Sequence, residues 1–249
     1  GFTGPKPWGD VTQLDQPLKE QWPYHAVARI VLAHSLIRSF PEVDESRVAI
    51  TGISWGGVLT CMVSGIDHRF VAAVPVYGGG YLYVGDGYFT QRLLMMPESF
   101  QSVWRKNWDP SLYIPLARIP TLFINGTEDP NFPLPQYARS TQLAQDGCFR
   151  ILPLMRHGKK PGWDPIAIEL FIDSHCRGGV PLPELINPLN KSGMVSVQVV
   201  ASTQLRQAKF YYTTQSPPYW NERGAEFRTL FSSFPVSVSK DQILSVEVP

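Results

Sequence analysis

The residues with the clearest chemical meaning are Gly52-Ile53-Ser54-Trp55-Gly56-Gly57. A serine hydroxyl is a weak nucleophile until it is lifted clear of its surroundings and given a base. The pattern G-x-S-x-G does the lifting where it joins a buried strand to a helix, because the flanking glycines permit a turn too tight for larger side chains. The run Val48-Ala49-Ile50 before it and the apolar segment after it supply that setting. At the helix N-terminus the Trp55 N–H would donate to an oxyanion forming on a substrate carbonyl. The competing reading is a glycine-rich turn whose serine caps the helix.

Such a nucleophile needs a carboxylate and a histidine, and in this setting they follow along the chain in that order. Gly126-Thr127-Glu128-Asp129-Pro130 follows the third strand-like run, and Leu154-Met155-Arg156-His157-Gly158 follows the fourth. His157 is the candidate base. One ring nitrogen would take the Ser54 proton, and the other would donate to a carboxylate that fixes the tautomer. Asp129 is the chosen carboxylate; Glu128 is the second choice and is otherwise expected in solvent. Asp164 is expected to cap the helix that follows. The remaining histidines have plainer readings: His25 and His34 within the first helix, His68 in a surface turn, and His175 at a helix end, where a cation suits the macrodipole. None stands among carboxylates at metal spacing, so neither a metal nor another cofactor is expected.

These side chains need a scaffold. Residues 1–21 read as a loop rich in Gly, Pro and polar residues. Pro23 suits a first helical turn, and Val27, Ile30, Val31, His34 and Ile37 recur at helical spacing until Pro41. Strands are expected at 47–53, 71–76, 121–125 and 149–153, with helices near 56–64, 135–145 and 165–175. That alternation predicts an α/β fold with a mostly parallel sheet covered on both faces. From Tyr77 to Pro110 the periodicity lapses in a stretch rich in glycine and aromatic residues. A lid-like insertion is expected at about 77–110, with Tyr81, Trp104 and Trp108 as candidates for a substrate wall. The other reading places the two tryptophans in the core of the insertion.

After Cys176-Arg177-Gly178-Gly179 a period-two alternation takes over, at 195–199, 208–212, 229–231 and 243–248. The expected organisation is an α/β catalytic unit over 1–179 and a small antiparallel, β-sandwich-like unit over 180–249. Tyr211, Tyr212, Tyr219 and Trp220 there suit sugar stacking or strand packing, and packing is preferred.

Composition bounds the partners. The 249 residues include 22 basic and 21 acidic side chains, a net charge of +1, which gives no footprint for nucleic acid. Hydrophobic residues at 43% against 17% charged exclude a disordered chain. No apolar run reaches the roughly 18 residues of a membrane span. Cys61, Cys148 and Cys176 are odd in number and lack metal spacing, so they are expected as free thiols. The chain begins at Gly1 without a leader pattern, which leaves the compartment open, and nothing in the residues sets the oligomeric state.

Four segments together carry a resemblance: G-I-S-W-G-G, R-F-V-A-A-V-P-V-Y-G-G-G, L-F-I-N-G-T-E-D-P-N-F-P-L and M-R-H-G-K-K-P-G-W. In this order they resemble the α/β-hydrolase superfamily, in its branch of acetyl xylan esterases, dienelactone hydrolase-like and prolyl-oligopeptidase-like proteins, over roughly Trp22 to Gly179. The resemblance implies Ser54 as nucleophile, Asp129 as acid, His157 as base and the Trp55 N–H as one oxyanion donor. It is specific for fold and triad and not for substrate; a small-molecule or carbohydrate ester is the expected substrate, with no cofactor. Two departures follow. Dienelactone hydrolases proper carry a cysteine nucleophile, whereas serine favours carboxylic-ester chemistry. The superfamily also places several strands before the nucleophile strand, while only about 20 residues precede the first helix here. The expectation is an N-terminally partial hydrolase whose second oxyanion donor lies upstream and whose nucleophile strand has an open edge. The expected function is hydrolysis of acetyl or short-acyl carboxylic esters through an acyl-enzyme. The alternatives are a prolyl-oligopeptidase-like serine peptidase and a non-catalytic fragment or binding module.

Overall fold

Helix α1 spans Trp22–Arg38 and carries Pro23 in its first turn, where a missing N–H leaves no helical bond unmade. The structure, a computed structural model, describes residues 13–214, 232–237, 239 and 243–247. Val27, Ile30 and Val31 of α1 lie against a small cluster formed by Ile50, Val63, Phe70, Ala73 and Ile119. The helix closes at Arg38, ahead of Pro41, with tight turns at Ser39 and Phe40.

Strand β1 (Ala49–Ile53) leads through Ser54 into α2 (Trp55–Ser64), and β2 (Ala72–Val76) follows. The insertion then folds as α3 (Tyr88–Leu94) and α4 (Glu98–Val103), continued by a π-helical turn at Trp104–Trp108 and two short 3-10 turns. Strand β3 (Thr121–Glu128), α5 (Leu134–Thr141), β4 (Gly147–Arg156), α6 (Lys159–Trp163) and α7 (Ala167–Cys176) complete the α/β part. The short α6 is an element the periodicity did not reveal, since five residues are too few to show a helical repeat.

The four strands are parallel and lie in the order β1-β2-β3-β4. This is the α/β-hydrolase type of sheet. Among the described residues β1 pairs with β2 alone. Every residue of β2 is buried, as the unbroken apolar run required. Its Pro75 is unusual for an inner strand. Ala73 and Tyr77, two residues to either side, donate to carbonyls of Pro120 and Ile124 across β3, and Pro75 omits the donor between them. Val58, Met62, Val74, Leu122, Phe123, Ile124 and Phe171 form the main core between sheet and helices.

Antiparallel sheets follow, as the change of period predicted. One has the order β5-β6-β9, from Glu184–Lys191, Met194–Val200 and Ile243–Glu247; the other pairs β7 (Ala208–Tyr212) with β8 (Ser232–Val236). Strand β5 was not expected, because its mostly exposed Glu184–Lys191 shows no apolar alternation. The strand expected at 229–231 lies outside the described residues, as do Tyr219, Trp220 and residues 1–12. Phe210, Tyr212 and Phe234 contact one another across β7 and β8, the packing role preferred for such aromatics, while Tyr211 points outward at 42% exposure.

Parallel strands share one carboxyl edge. The residues that leave β1, β2, β3 and β4 there are Ser54, Tyr77, Asp129 and His157.

Candidate active site

Ser54 sits at φ 59° and ψ −116°, a strained conformation for a residue with a Cβ. Close packing holds it there. A Cβ on Gly52 would come within 2.4 Å of the Gly56 carbonyl oxygen, so strand and helix meet only because glycine stands at the corner. A second close approach seats α2 on the end of β2, where a Cβ on Gly57 would fall 2.4 Å from the Val76 carbonyl oxygen. That same carbonyl accepts the Ser54 N–H at 2.9 Å. The Ser54 side chain makes no capping bond to α2, which removes the helix-cap reading.

The hydroxyl instead meets His157, with Oγ 2.9 Å from Nε2. On the far side of the ring, Nδ1 lies 3.0 Å from Asp129 Oδ2 and 3.1 Å from Oδ1. The Asp129 side chain is fully enclosed, and that of His157 keeps 20% of its surface open. Asp129 also accepts the backbone N–H groups of Asn131 (2.8 Å) and Phe132 (3.3 Å), so the loop after β3 folds around its carboxylate. Asn125 braces this loop from the strand below by donating to the Phe132 carbonyl at 2.8 Å. The imidazole is flanked by two rings, Tyr77 at 4.6 Å and Phe132 at 6.2 Å. Burial, and next the nearby Asp129 and Asp164 carboxylates, hold the Tyr77 phenol well above its ordinary range, so it keeps its proton. It donates to the Arg156 carbonyl at 2.6 Å. Trp55 is the first residue of α2, so its N–H stands outside the helical ladder and faces the corner that carries Ser54. Among the described residues no three His, Cys, Asp or Glu side chains gather as a metal would require.

The sequence also matches a family over a stretch that includes Ser54 and Asp129 and ends before His157. The model of the prolyl oligopeptidase family aligns with residues 12–152, more than half of the chain. The chain belongs to the prolyl oligopeptidase family. These are serine hydrolases of the α/β type. Solved structures similar in fold include a puromycin-hydrolyzing peptidase of Mycobacterium tuberculosis, at TM-score 0.56 and 21% identity over 65% of this chain and 27% of that one. Acetyl xylan esterase 1 of Thermoanaerobacterium sp. JW/SL YS485 aligns at TM-score 0.55 and 19% identity, over 70% of this chain and 60% of that one. The chain thus spans from about a quarter to three-fifths of the length of these two proteins, and the likeness is one of fold. A search of curated protein sequences found no significant match.

In this prolyl oligopeptidase family member, the aromatic residues expected to form a substrate wall are placed differently. Trp104 is 2% exposed and its indole N–H donates to Asp109 at 3.1 Å. Trp108 is 7% exposed and donates to Gln21 at 2.6 Å. Both indoles are therefore inside, with their polar handles satisfied, and neither offers a face to substrate. Tyr81 is half-buried at φ 59°, with the Arg139 guanidinium 4.4 Å over its ring. The organiser of the insertion is Asp109, fully buried, which accepts from the N–H groups of Tyr81, Leu82 and Ser111, the Ser111 hydroxyl and the Trp104 indole. Trp55, next to the nucleophile in sequence, packs half-buried with Trp22 and Phe89, whose rings lie 5.2 and 5.1 Å from its own. Trp104 forms the layer behind them.

Two carboxylates also differ from expectation. Glu128 is not solvated: its side chain is 9% exposed and accepts from Arg156 Nε at 2.7 Å, tying the end of β3 to the end of β4. Asp164 closes α6, and α7 begins without a side-chain cap. Sequence reasoning passed over Phe132, and it took Tyr77 only as the start of the aromatic insertion. For Tyr77 a signal existed, since a residue leaving a parallel strand at the carboxyl edge faces the site as its neighbours do.

Proposed function

We propose that this chain carries a serine acyl hydrolase that cleaves carboxylic esters of acetyl or other short acyl groups. The observation that carries the reading is the continuous hydrogen-bonded line from Ser54 Oγ through the His157 ring to Asp129. Ser54 Oγ attacks the ester carbonyl as its proton passes to His157 Nε2. Asp129 holds Nδ1–H, so that Nε2 presents its lone pair, and stabilises the imidazolium that forms. The Trp55 N–H donates to the oxyanion. Collapse breaks the ester bond, His157 returns the proton to the departing alcohol, and water repeats the sequence on the acyl-serine. No metal or cofactor has a role in this scheme. On the same reading, residues 1–179 form the hydrolase unit and 180–249 an appended β unit.

A second reading, cleavage of peptide bonds after the same attack, is favoured by the family match and by the puromycin-hydrolyzing peptidase among the similar folds. Two measurements test both. A fluorophosphonate probe should label the protein and fail on Ser54→Ala; an unlabelled wild-type chain would leave a non-catalytic module as the better account. Turnover of p-nitrophenyl acetate without release from a prolyl anilide decides for the esterase, and the reverse for the peptidase.

A further inference from the structure

Four residues leave the four parallel strands at the edge that carries the site, and the proposed chemistry uses three of them. The fourth is Tyr77. Its backbone lies at φ 52°, where a glycine would sit without strain, and three glycines follow directly. A tyrosine held there at a conformational cost, with no exposed surface, has work for its side chain.

We propose that Tyr77 is the positioning residue that sets the distance between Ser54 and His157; this rests on the serine hydrolase reading above. Three contacts support it, one to each partner and one to the wall behind them. On the nucleophile's side, the carbonyl of Val76, immediately before Tyr77, receives the Ser54 N–H at 2.9 Å. On the base's side, the Tyr77 hydroxyl donates at 2.6 Å to the carbonyl of Arg156, immediately before His157, and its ring lies 4.6 Å from the imidazole. Behind, the ring is stopped by α6: a Cβ on Gly162 would fall 2.9 Å from Tyr77 Cε2 and 2.9 Å from Ile53 Cδ1. The Tyr77 N–H is in turn held by the Ile124 carbonyl at 2.8 Å, so the link is anchored in the sheet. One dipeptide therefore grips the backbone of the nucleophile at one end and the backbone of the base at the other. His157 reaches Ser54 from β4, two strands removed from β2, and Tyr77 stands between them as the spacer. In this role Tyr77 acts through Ser54 and His157 and not on the transferred proton itself.

The test is Tyr77→Phe, which keeps the ring and deletes the hydroxyl, read by p-nitrophenyl acetate kinetics, fluorophosphonate labelling rate and thermal melting. Misplacing a base by a fraction of an ångström lowers turnover without changing what the substrate binds, so kcat and the labelling rate should each fall about ten-fold while KM stays within about two-fold. Gly162→Ala made in an Ile53→Val background, which removes the Cδ1 atom the new methyl would also meet, retains the tyrosine but pushes on its ring; compared with Ile53→Val alone it should give the same split, and it decides the matter where Tyr77→Phe does not fold. A folded Tyr77→Phe with wild-type kcat and labelling rate, or a loss confined to KM, overturns the proposal and leaves the hydrolase reading intact. A wild-type chain that the probe does not label removes that reading, and this proposal with it.

Discussion

Among the described residues two histidine–carboxylate pairs stand out, and their surroundings differ. At the carboxyl edge of the sheet, His157 Nδ1 meets Asp129 at 3.0 Å; at the opposite edge, where α2 gives way to β2, His34 Nδ1 meets Asp67 at 2.8 Å. Both imidazoles lie against aromatic rings, His157 near Tyr77 and Phe132, His34 stacked 3.6 Å from Phe70. The difference is at the second nitrogen. His157 Nε2 faces a hydroxyl and open space, whereas His34 Nε2 is buried without a hydrogen-bond partner. Asp67 is further held by Arg69, whose guanidinium bonds both carboxylate oxygens. A carboxylate beside an imidazole orients it in either place. Only access and a waiting nucleophile turn the oriented ring into a base, and without them the same pair ties α1 to the turn between α2 and β2.

The largest effect should come from removing the hydroxyl. Ser54→Ala is expected to lower ester turnover by more than about 10⁴-fold while leaving the melting temperature near that of wild type, measured by p-nitrophenyl acetate assay and calorimetry. Asp129→Asn keeps the shape but lets Nδ1 accept instead of donate, so kcat should fall by about 10⁴-fold with KM little changed. The other pair should respond in the opposite currency. Asp67→Ala leaves His34 and Arg69 without their buried partner and should cost about 3 kcal/mol by urea unfolding, with kcat within two-fold of wild type. A large loss of kcat there, or none of stability, would erase the distinction drawn between the two pairs.

The smallest effect is one of pH. Burial raises the Asp67 carboxyl, but the bonds from Arg69 and His34 outweigh it and hold the group well below the usual carboxylate range. The unfolded carboxyl takes up its proton near pH 4. Below that pH the unfolded chain binds more protons than the folded one, so this contribution to stability is present above about pH 4 and drains away as pH falls toward the folded value. Urea midpoints taken from pH 5 down to pH 3 should decline in wild type and decline less steeply in Asp67→Asn.

Sequence reasoning went far where a requirement is local. The corner at Ser54 is marked by the glycines of G-x-S-x-G, the buried strands need continuous apolar runs, and parallel strands send their carboxyl ends to one rim. Ser54, Asp129 and His157 could be named from those three rules together, as could the turn from α/β to antiparallel structure after Gly179. It went astray where a side chain's role depends on what arrives from elsewhere in the chain. Trp104 and Trp108 read as wall or as core with equal ease until Asp109 and Gln21 are seen to take their N–H groups. Glu128 reads as solvated until Arg156 arrives from the next strand.

What the chain by itself determined, then, is the set of backbone shapes: where glycine must stand, which runs are buried on both faces, and which residues leave the strands at a common edge. Which histidine faces a nucleophile, and which is sealed behind a helix, was decided only by the tertiary structure. His34 and His157 each have a carboxylate far along the sequence, and residue type is blind to what the second ring nitrogen meets. That nitrogen's surroundings are made by elements tens of residues away, and their approach is set by the packing of the whole sheet and its helices.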